Sequence, residues 1–337
     1  MPTPQAIFIA HITGITESVL AVPALRSLRR HLPDASITVA ASREGTDILR
    51  LGQLADEILS TERLARGLLL PNRLYQTAQT ARMLRGRAFD VAIDLARNFE
   101  SSLAIRLVSA PTLEEESPRT LDKLRRIISN RTPVSLHVAH EFLRRLEPLG
   151  VRPVEAEPRL FTNTDADQRF EKLLSKHRVG SGELLVGVHA GARRGKDRWP
   201  AERFASLAAR MIHNFDARAL IFAGPDEKGL AKKIAKQVGS KRVIVLESPK
   251  LEDFVSASAR MSLFIANHTG PAHIAAAAGA PVVTASGALT PLTRDVLSPN
   301  CMPIRATALS AVSEEDVFEA ACQLIKRTRS AAHGIFS

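Results

Sequence analysis

Residues 261–284 spell a complete strand–turn–helix–strand unit, and that order leaves little choice of fold. The apolar run from Met261 to Ala266 reads as a strand, and Asn267-His268-Thr269-Gly270 as a polar turn. A helix then opens with Pro271 at its first position, where a missing N–H costs nothing. The small residues Ala275 to Ala278 let that helix lie close on a sheet, and Gly279 ends it. Pro281-Val-Val-Thr begins the next strand. The turn offers backbone N–H groups at a helix N-terminus, which suits an anion such as a diphosphate. An ordinary βα turn is the alternative.

The same alternation runs through the chain. Ala6 to Ala10 reads as a buried strand, His11 to Ser18 as a loop, Val19 to Leu32 as a helix and Ser36 to Ala41 as a second strand. This βαβ unit implies a parallel, doubly wound α/β sheet. Helices are expected near 46–51, over 71–85, 101–108 and 137–149, with strands at 57–59 and 89–95. Residues 111–132 are charged and interrupted and read as an exposed insertion. Past a Pro-rich linker (151–161) and a helix over 164–177, strands at 184–189, 219–223 and 242–246 alternate with helices over 201–214, 227–238 and 251–259. Ser313 caps a last helix that reaches about Thr328, with Asp316 at its third position. The expected organisation is an N-terminal domain over 1–160, a C-terminal domain over 175–312 and a terminal helix over 313–330. Two such domains in succession predict a cleft faced by the carboxyl ends of both sheets.

Composition narrows the function classes. At 337 residues there is room for two domains. The net charge of +11 attracts polyanions of any kind, although much of it lies on Arg-rich helical faces that also read as solvated surface. Aromatic residues make up only 4%, which argues against stacking platforms for single-stranded nucleic acid, and no nucleic-acid partner is expected. Cys301 and Cys322 are too few for a disulfide framework or a zinc site and point to a reducing cytoplasm. The start lacks the basic region of a signal peptide, and no apolar run approaches the roughly 18 residues of a spanning helix.

Several residues stand where chemistry is done. Thr13-Gly-Ile-Thr-Glu17 joins the first strand to its helix, the ligand-binding position of a doubly wound sheet. One glycine does not make a dinucleotide fingerprint. Glu17 reads either as a general base or as a carboxylate stabilising a helix dipole. The loop after the strand at 184–189 contains Gly191, Arg193, Arg194, Lys196 and Arg198. It fails as a Walker motif, because Ala190 and Asp197 break the pattern, and reads as a diphosphate-neutralising loop or a solvated one. Trp199-Pro200 reads as a packing anchor. Glu227 follows a strand end and could accept ribose hydroxyls or simply occupy a helical first turn. His273 reads as a core histidine or a supporting group. No His, Cys and Asp cluster has metal-ligand spacing, so neither a metal nor another cofactor is expected.

Taken together, these stretches resemble the ADP-heptose:lipopolysaccharide heptosyltransferases, glycosyltransferase family 9. The matching segments are Ile7-Phe-Ile with Gly14 to Ala35, Phe89-Asp-Val-Ala-Ile-Asp-Leu95 with Ser101 and Ser102, Gly187-Val-His-Ala-Gly191 with Arg198 to Phe204, and Asn267 to Pro281. The resemblance implies the GT-B architecture, two Rossmann-like doubly wound domains facing a central cleft. It implies metal-independent, inverting transfer of a heptose from a nucleotide-sugar donor to a phosphorylated glycolipid acceptor. Glu17 stands at the family's catalytic Asp and Thr16 at its Gly. Gly191, Lys196, Glu227, His268, Thr269, Gly270 and His273 fall at donor positions, and Thr13, Arg97, Arg119 and Lys123 on the acceptor side. His268 replaces the Asp that usually precedes the Thr/Ser-Gly. A cytoplasmic protein touching the anionic inner face of the inner membrane is expected. A relative that binds sugar nucleotides with an altered donor or without transferase activity is the alternative, and a basic nucleic-acid binder a third.

Overall fold

The computed structural model describes residues 3–61, 79, 80, 82–108, 136–192, 195 and 198–333, and the chain divides into two compact units, Met1–Pro158 and Arg159–Ser337. The expected segment over 111–132 and residues 71–78 and 81 of the expected helix over 71–85 lie outside the described residues.

The first unit contains β1 (Ala6–His11), α1 (Ile15–His31), β2 (Ser36–Ser42), α2 (Arg43–Gly52), β3 (Glu57–Thr61), β4 (Val91–Asp94), α3 (Phe99–Arg106) and α4 (Val138–Arg144). Its sheet runs β3-β2-β1-β4, every pair parallel. Ile7, Phe8, Ile9 and Ala10 are all buried, as a central parallel strand covered on both faces requires. Two expectations shift. Helix α1 starts at Ile15 rather than Val19, because Gly14 serves as its N-cap and its carbonyl takes both the Ser18 N–H (3.1 Å) and the Ser18 hydroxyl (2.9 Å). The helix expected over 137–149 ends at Arg144 and resumes as a 3-10 turn, Glu147–Leu149, because Pro148 disfavours α-helical backbone at the residue before it.

The second unit contains α5 (Thr164–Lys176), β5 (Leu185–His189), α6 (Ala201–Phe215), β6 (Arg218–Ala223), α7 (Leu230–Val238), β7 (Val243–Glu247), α8 (Leu251–Ala259), β8 (Leu263–Asn267), α9 (Gly270–Ala277), β9 (Val282–Gly287), β10 (Cys301–Ala306) and α10 (Glu314–His333). Its parallel sheet runs β10-β9-β8-β5-β6-β7. Strand β10 is not among the expected elements, and it carries Pro303. The proline is tolerated because β10 is an edge strand that pairs only with β9. Helix α7 starts at Leu230, so Glu227 lies in the preceding turn and not in a helical first turn. Pro271 is the second residue of α9, not the first. Helix α10 is capped by Ser313, whose hydroxyl accepts the Glu315 and Asp316 N–H groups, and it packs on β8, β9, β10 and α6. Trp199 is buried edge-on to Phe204 and anchors α6 as expected.

Each sheet has one point where its strand order reverses. In the first unit it lies between β1 and β4, in the second between β5 and β8. Ligands of open α/β sheets bind outside the carboxyl ends of the strands at such points. Among the described residues, no helix is long and apolar enough to cross a membrane.

Candidate functional site

At the reversal in the first unit, residues 12–14 are held from two sides. The Asn98 side-chain amide donates to the Ile12 carbonyl (2.8 Å), and the Ser42 hydroxyl donates to the Thr13 carbonyl. Asn98 also caps α3 through a reciprocal pair of bonds with Ser101. Thr13 Oγ1 lies 2.9 Å from His11 Nε2 and 3.3 Å from Ser18 Oγ. Glu17 is the third residue of α1, and its Oε2 lies 3.6 Å from where a Cβ on Gly14 would stand. The carboxylate therefore folds back over the loop at the positive end of the helix.

Behind this loop sits a buried polar group. His11, the last residue of β1, is fully buried, and its pKa falls to about 3, through burial first and the Arg145 charge second. Arg145 donates to the Leu95 carbonyl and stacks over Phe142, whose ring meets His11 edge-on. Burial, with Arg97 as the next cause, lowers the Arg145 pKa to about 10. Asp94 ends β4, and burial pushes its carboxyl up, against hydrogen bonds from Ser102 (2.6 Å) and the Arg97 N–H (2.7 Å). Arg97 is exposed, on left-handed backbone at φ 50°.

At the reversal in the second unit, Asn267 is the organiser. Fully buried at the end of β8, it donates to the Ala190 (2.8 Å) and Gly191 (3.2 Å) carbonyls and accepts the Trp199 N–H (2.8 Å). The sequence pattern puts it in the turn; in the structure it is the last residue of the strand. Glu227 reaches across from the turn after β6. Its Oε2 accepts the Gly224 N–H (2.9 Å) and lies 3.5 Å from His189 Nε2. Gly191 makes room for it: a Cβ there would come within 1.8 Å of Glu227 Oε1. His189 ends β5, and burial lowers its pKa against the pull of the Glu227 carboxylate.

The turn after β8 leads into α9. Thr269 occupies the N-cap, yet its hydroxyl bonds the Asn267 carbonyl (3.3 Å) and caps no helical N–H. The first turn of α9 has no acidic residue. His268 is largely buried, with Nε2 3.2 Å from Asp295 Oδ1 but without hydrogen-bond alignment, and its ring meets His273 edge-on at 5.4 Å. Asp295 is paired with Arg305 of β10. Burial lowers the His268 pKa, opposed by Asp295.

The structure thus places Thr13, Glu17 and Arg97 at the reversal point of the first sheet. Gly191, Glu227, His268, Thr269, Gly270 and His273 lie at the carboxyl ends of β5, β6 and β8. Lys196, Arg119 and Lys123 lie outside the described residues, as do Arg193, Arg194 and Asp197. Missed from the sequence were His11, Asp94, Asn98, Arg145, His189, Asp295 and Arg305. Of these, His11 and His189 carried a signal, since each ends an apolar run where a buried strand would stop.

The model for glycosyltransferase family 9 (heptosyltransferase) matches residues 77–321, well over half of the chain. The chain belongs to that family, and it is a glycosyltransferase. Lipopolysaccharide heptosyltransferase 3 of Escherichia coli is 22% identical over 281 residues, covering 81% of this chain and 80% of that one. A Haemophilus influenzae protein is 32% identical over 106 residues, a stretch spanning 31% of each chain. The fold is that of two solved structures. A family 9 glycosyl transferase from Veillonella parvula aligns with TM-score 0.81 at 22% identity, over 96% of this chain and 97% of that one. The E. coli heptosyltransferase WaaC with ADP-2-deoxy-2-fluoro heptose aligns with TM-score 0.70 at 19% identity, over 96% and 99%.

Proposed function

We propose that this glycosyltransferase moves a heptose, or a related sugar, from ADP-heptose or another nucleoside diphosphate sugar to a lipopolysaccharide-core-like acceptor, inverting the anomeric carbon without a metal. The observation that carries the reading is the pairing, at one reversal point, of a carboxylate seated over Gly191 with a helix N-terminus that has no acid of its own. The first suits ribose hydroxyls and the second a diphosphate. The heptose analogue in the solved WaaC structure supports the donor class.

In this reading the C-terminal half holds the donor. Glu227 accepts from the nucleoside, with Gly191 giving it room. Thr269, Gly270, the α9 dipole and Lys196 meet the diphosphate, with His268 and His273 beside them. The N-terminal half serves the acceptor through Thr13, Arg97, Arg119 and Lys123. Glu17 takes the proton from the acceptor hydroxyl as its oxygen bonds to the anomeric carbon. The bond from that carbon to the diphosphate oxygen breaks, and the electron pair leaves with the nucleoside diphosphate. Stabilising that departing charge is the electrostatic contribution that usually dominates such catalysis. The acceptor is a phosphorylated glycolipid met by a cytoplasmic enzyme at an anionic membrane surface, where the net charge of +11 favours contact.

A positioned general base contributes about 10²–10⁴-fold. Glu17→Gln is expected to cut turnover by that factor while donor affinity, measured by calorimetry, stays the same. Unchanged turnover removes Glu17 from the chemistry. A second reading, a relative with an altered donor, is favoured by the imidazole at 268. Transfer assays across ADP, UDP, GDP and dTDP sugars separate the two.

A further inference from the structure

We propose that His268 is the proton-accepting counter-charge for the bound diphosphate: nucleoside diphosphate binding at the α9 N-terminus draws one proton onto this imidazole, and Asp295 holds the ring in place for it. The inference rests on the diphosphate reading of α9 and adds to it a coupled proton.

The argument starts from position. His268 immediately precedes Thr269 and Gly270, and its N–H donates to the Ala285 carbonyl (3.1 Å), which fixes the backbone of the turn on β9. Its side chain is 8% exposed, so the ring is held among protein groups. The titratable and charged groups facing it come from three elements. Asp295, in the loop between β9 and β10, stands 3.2 Å from Nε2; Arg305 of β10 pairs with Asp295; His273 of α9 lies edge-on. Cys301 lies close to Asp295 and Arg305, and burial pushes its thiol up to about 12, so it stays neutral and adds no charge.

In the unliganded protein the charges nearly balance without a proton on His268. Arg305 answers Asp295, and burial keeps the imidazole neutral. A diphosphate brings two or three negative charges to the end of α9. One unit charge some 7 Å away, through an effective dielectric of about 20, changes a proton affinity by roughly fifty-fold. That change favours the imidazolium, which then has Asp295 as its hydrogen-bond acceptor and the diphosphate as its counter-ion. Asp295 is accordingly a positioning residue. It stands 3.2 Å from Nε2, where a protonated ring can turn to meet it, and its own pairing with Arg305 links it to β10.

The test is calorimetric titration of the full-length protein with ADP, at several pH values between 6.5 and 8.5, in buffers of different ionisation enthalpy. Wild type is expected to take up a measurable fraction of a proton per ADP, never more than one, and affinity is expected to weaken as pH rises, by at most about tenfold per pH unit. In His268→Asn the uptake disappears and the pH dependence flattens. Asp295→Asn moves it to lower pH, which a purely structural role for the carboxylate would not do. ADP binding without proton uptake in the wild type, or with the same uptake in His268→Asn, overturns the inference and leaves the diphosphate reading standing. Failure of ADP to bind takes down that reading and the inference with it.

Discussion

The turns after β1 and β8 share one local plan and use it in opposite ways. Each leaves the carboxyl end of a central parallel strand at the reversal of its sheet and enters a helix within a few residues. Each helix N-terminus carries partial positive charge. In α1 that charge is answered from within, because Glu17 at the third helical position folds back over Gly14. In α9 the first turn contains no acid, and the capping residue spends its hydroxyl on Asn267. One turn thus holds its own anion, and the other has none in its first turn. On the proposed function, the same backbone device serves a base or a binding site according to whether a carboxylate stands at the third helical position.

The ends of β1 and β5, one strand from each reversal, offer the sharpest way to break this comparison. Both β1 and β5 finish on a buried histidine whose pKa is lowered by burial. His189 has the Glu227 carboxylate beside it, which favours its protonation, whereas His11 has the Arg145 cation, which opposes it. For His11 the folded state binds its proton only near pH 3, while the unfolded chain binds it below the ordinary histidine value of 6.5. Stability is therefore intact above pH 6.5 and falls as pH drops from 6.5 toward 3. At 1.36 kcal/mol per pH unit the loss approaches about 5 kcal/mol. Hydrogen exchange followed by mass spectrometry during acidification is expected to show β1 peptides losing protection before β5 peptides. Loss of β5 protection first contradicts the contrast between the two histidines.

A smaller effect is expected at Gly191. In Gly191→Ala the new Cβ would overlap Glu227 Oε1, at 1.8 Å, so the carboxylate must swing away from the Gly224 N–H. Losing a hydrogen bond to a charged group costs about 1.5–3 kcal/mol, up to roughly 10²-fold. ADP affinity is expected to fall by about that factor, with little change in a ligand that lacks the ribose hydroxyls, such as 2′,3′-dideoxy-ADP. Equal losses for both nucleotides would mean that Glu227 is not what reads the ribose.

Much of this was legible in the sequence, and what was not has physical causes. The alternation of apolar runs with amphipathic helices gave both sheets, because a parallel strand buried on both faces leaves a plain signature. The start of α1 was misplaced since Gly14 caps without a side chain, so the usual Ser, Thr, Asp or Asn signal is absent. Strand β10 was hidden by Pro303, harmless only because the strand is at an edge. Among candidate site residues, Glu17 and Glu227 could be picked from their place after strand ends. Their supports could not. Asn98 holds the Ile12 carbonyl from 86 residues away and Ser42 the Thr13 carbonyl from 29, and no local pattern encodes such a pairing. The same holds for Asp295 beneath His268.

The smallest effect decides between the two roles that Glu17 could play. If its carboxylate serves the helix dipole alone, Glu17→Gln destabilises the N-terminal unit by the usual contribution of an acid in a first turn, about 0.3–1 kcal/mol, and a charge at that position is all that matters. Glu17→Asp would then be as stable as wild type and as active. If Glu17 is a base, reach matters as well as charge, because the carboxylate oxygen must meet a particular hydroxyl. Glu17→Asp retains the dipole contribution while shortening the side chain by one methylene. Thermal unfolding of Glu17→Asp is expected to match wild type, with the midpoint of Glu17→Gln slightly lower. Turnover is expected to fall in both variants, further in Glu17→Gln. Wild-type turnover in Glu17→Asp, with loss in Glu17→Gln no greater than its loss of folded protein, would make α1 merely a helix with its own anion. The contrast with α9 would then be one of stability rather than of chemistry.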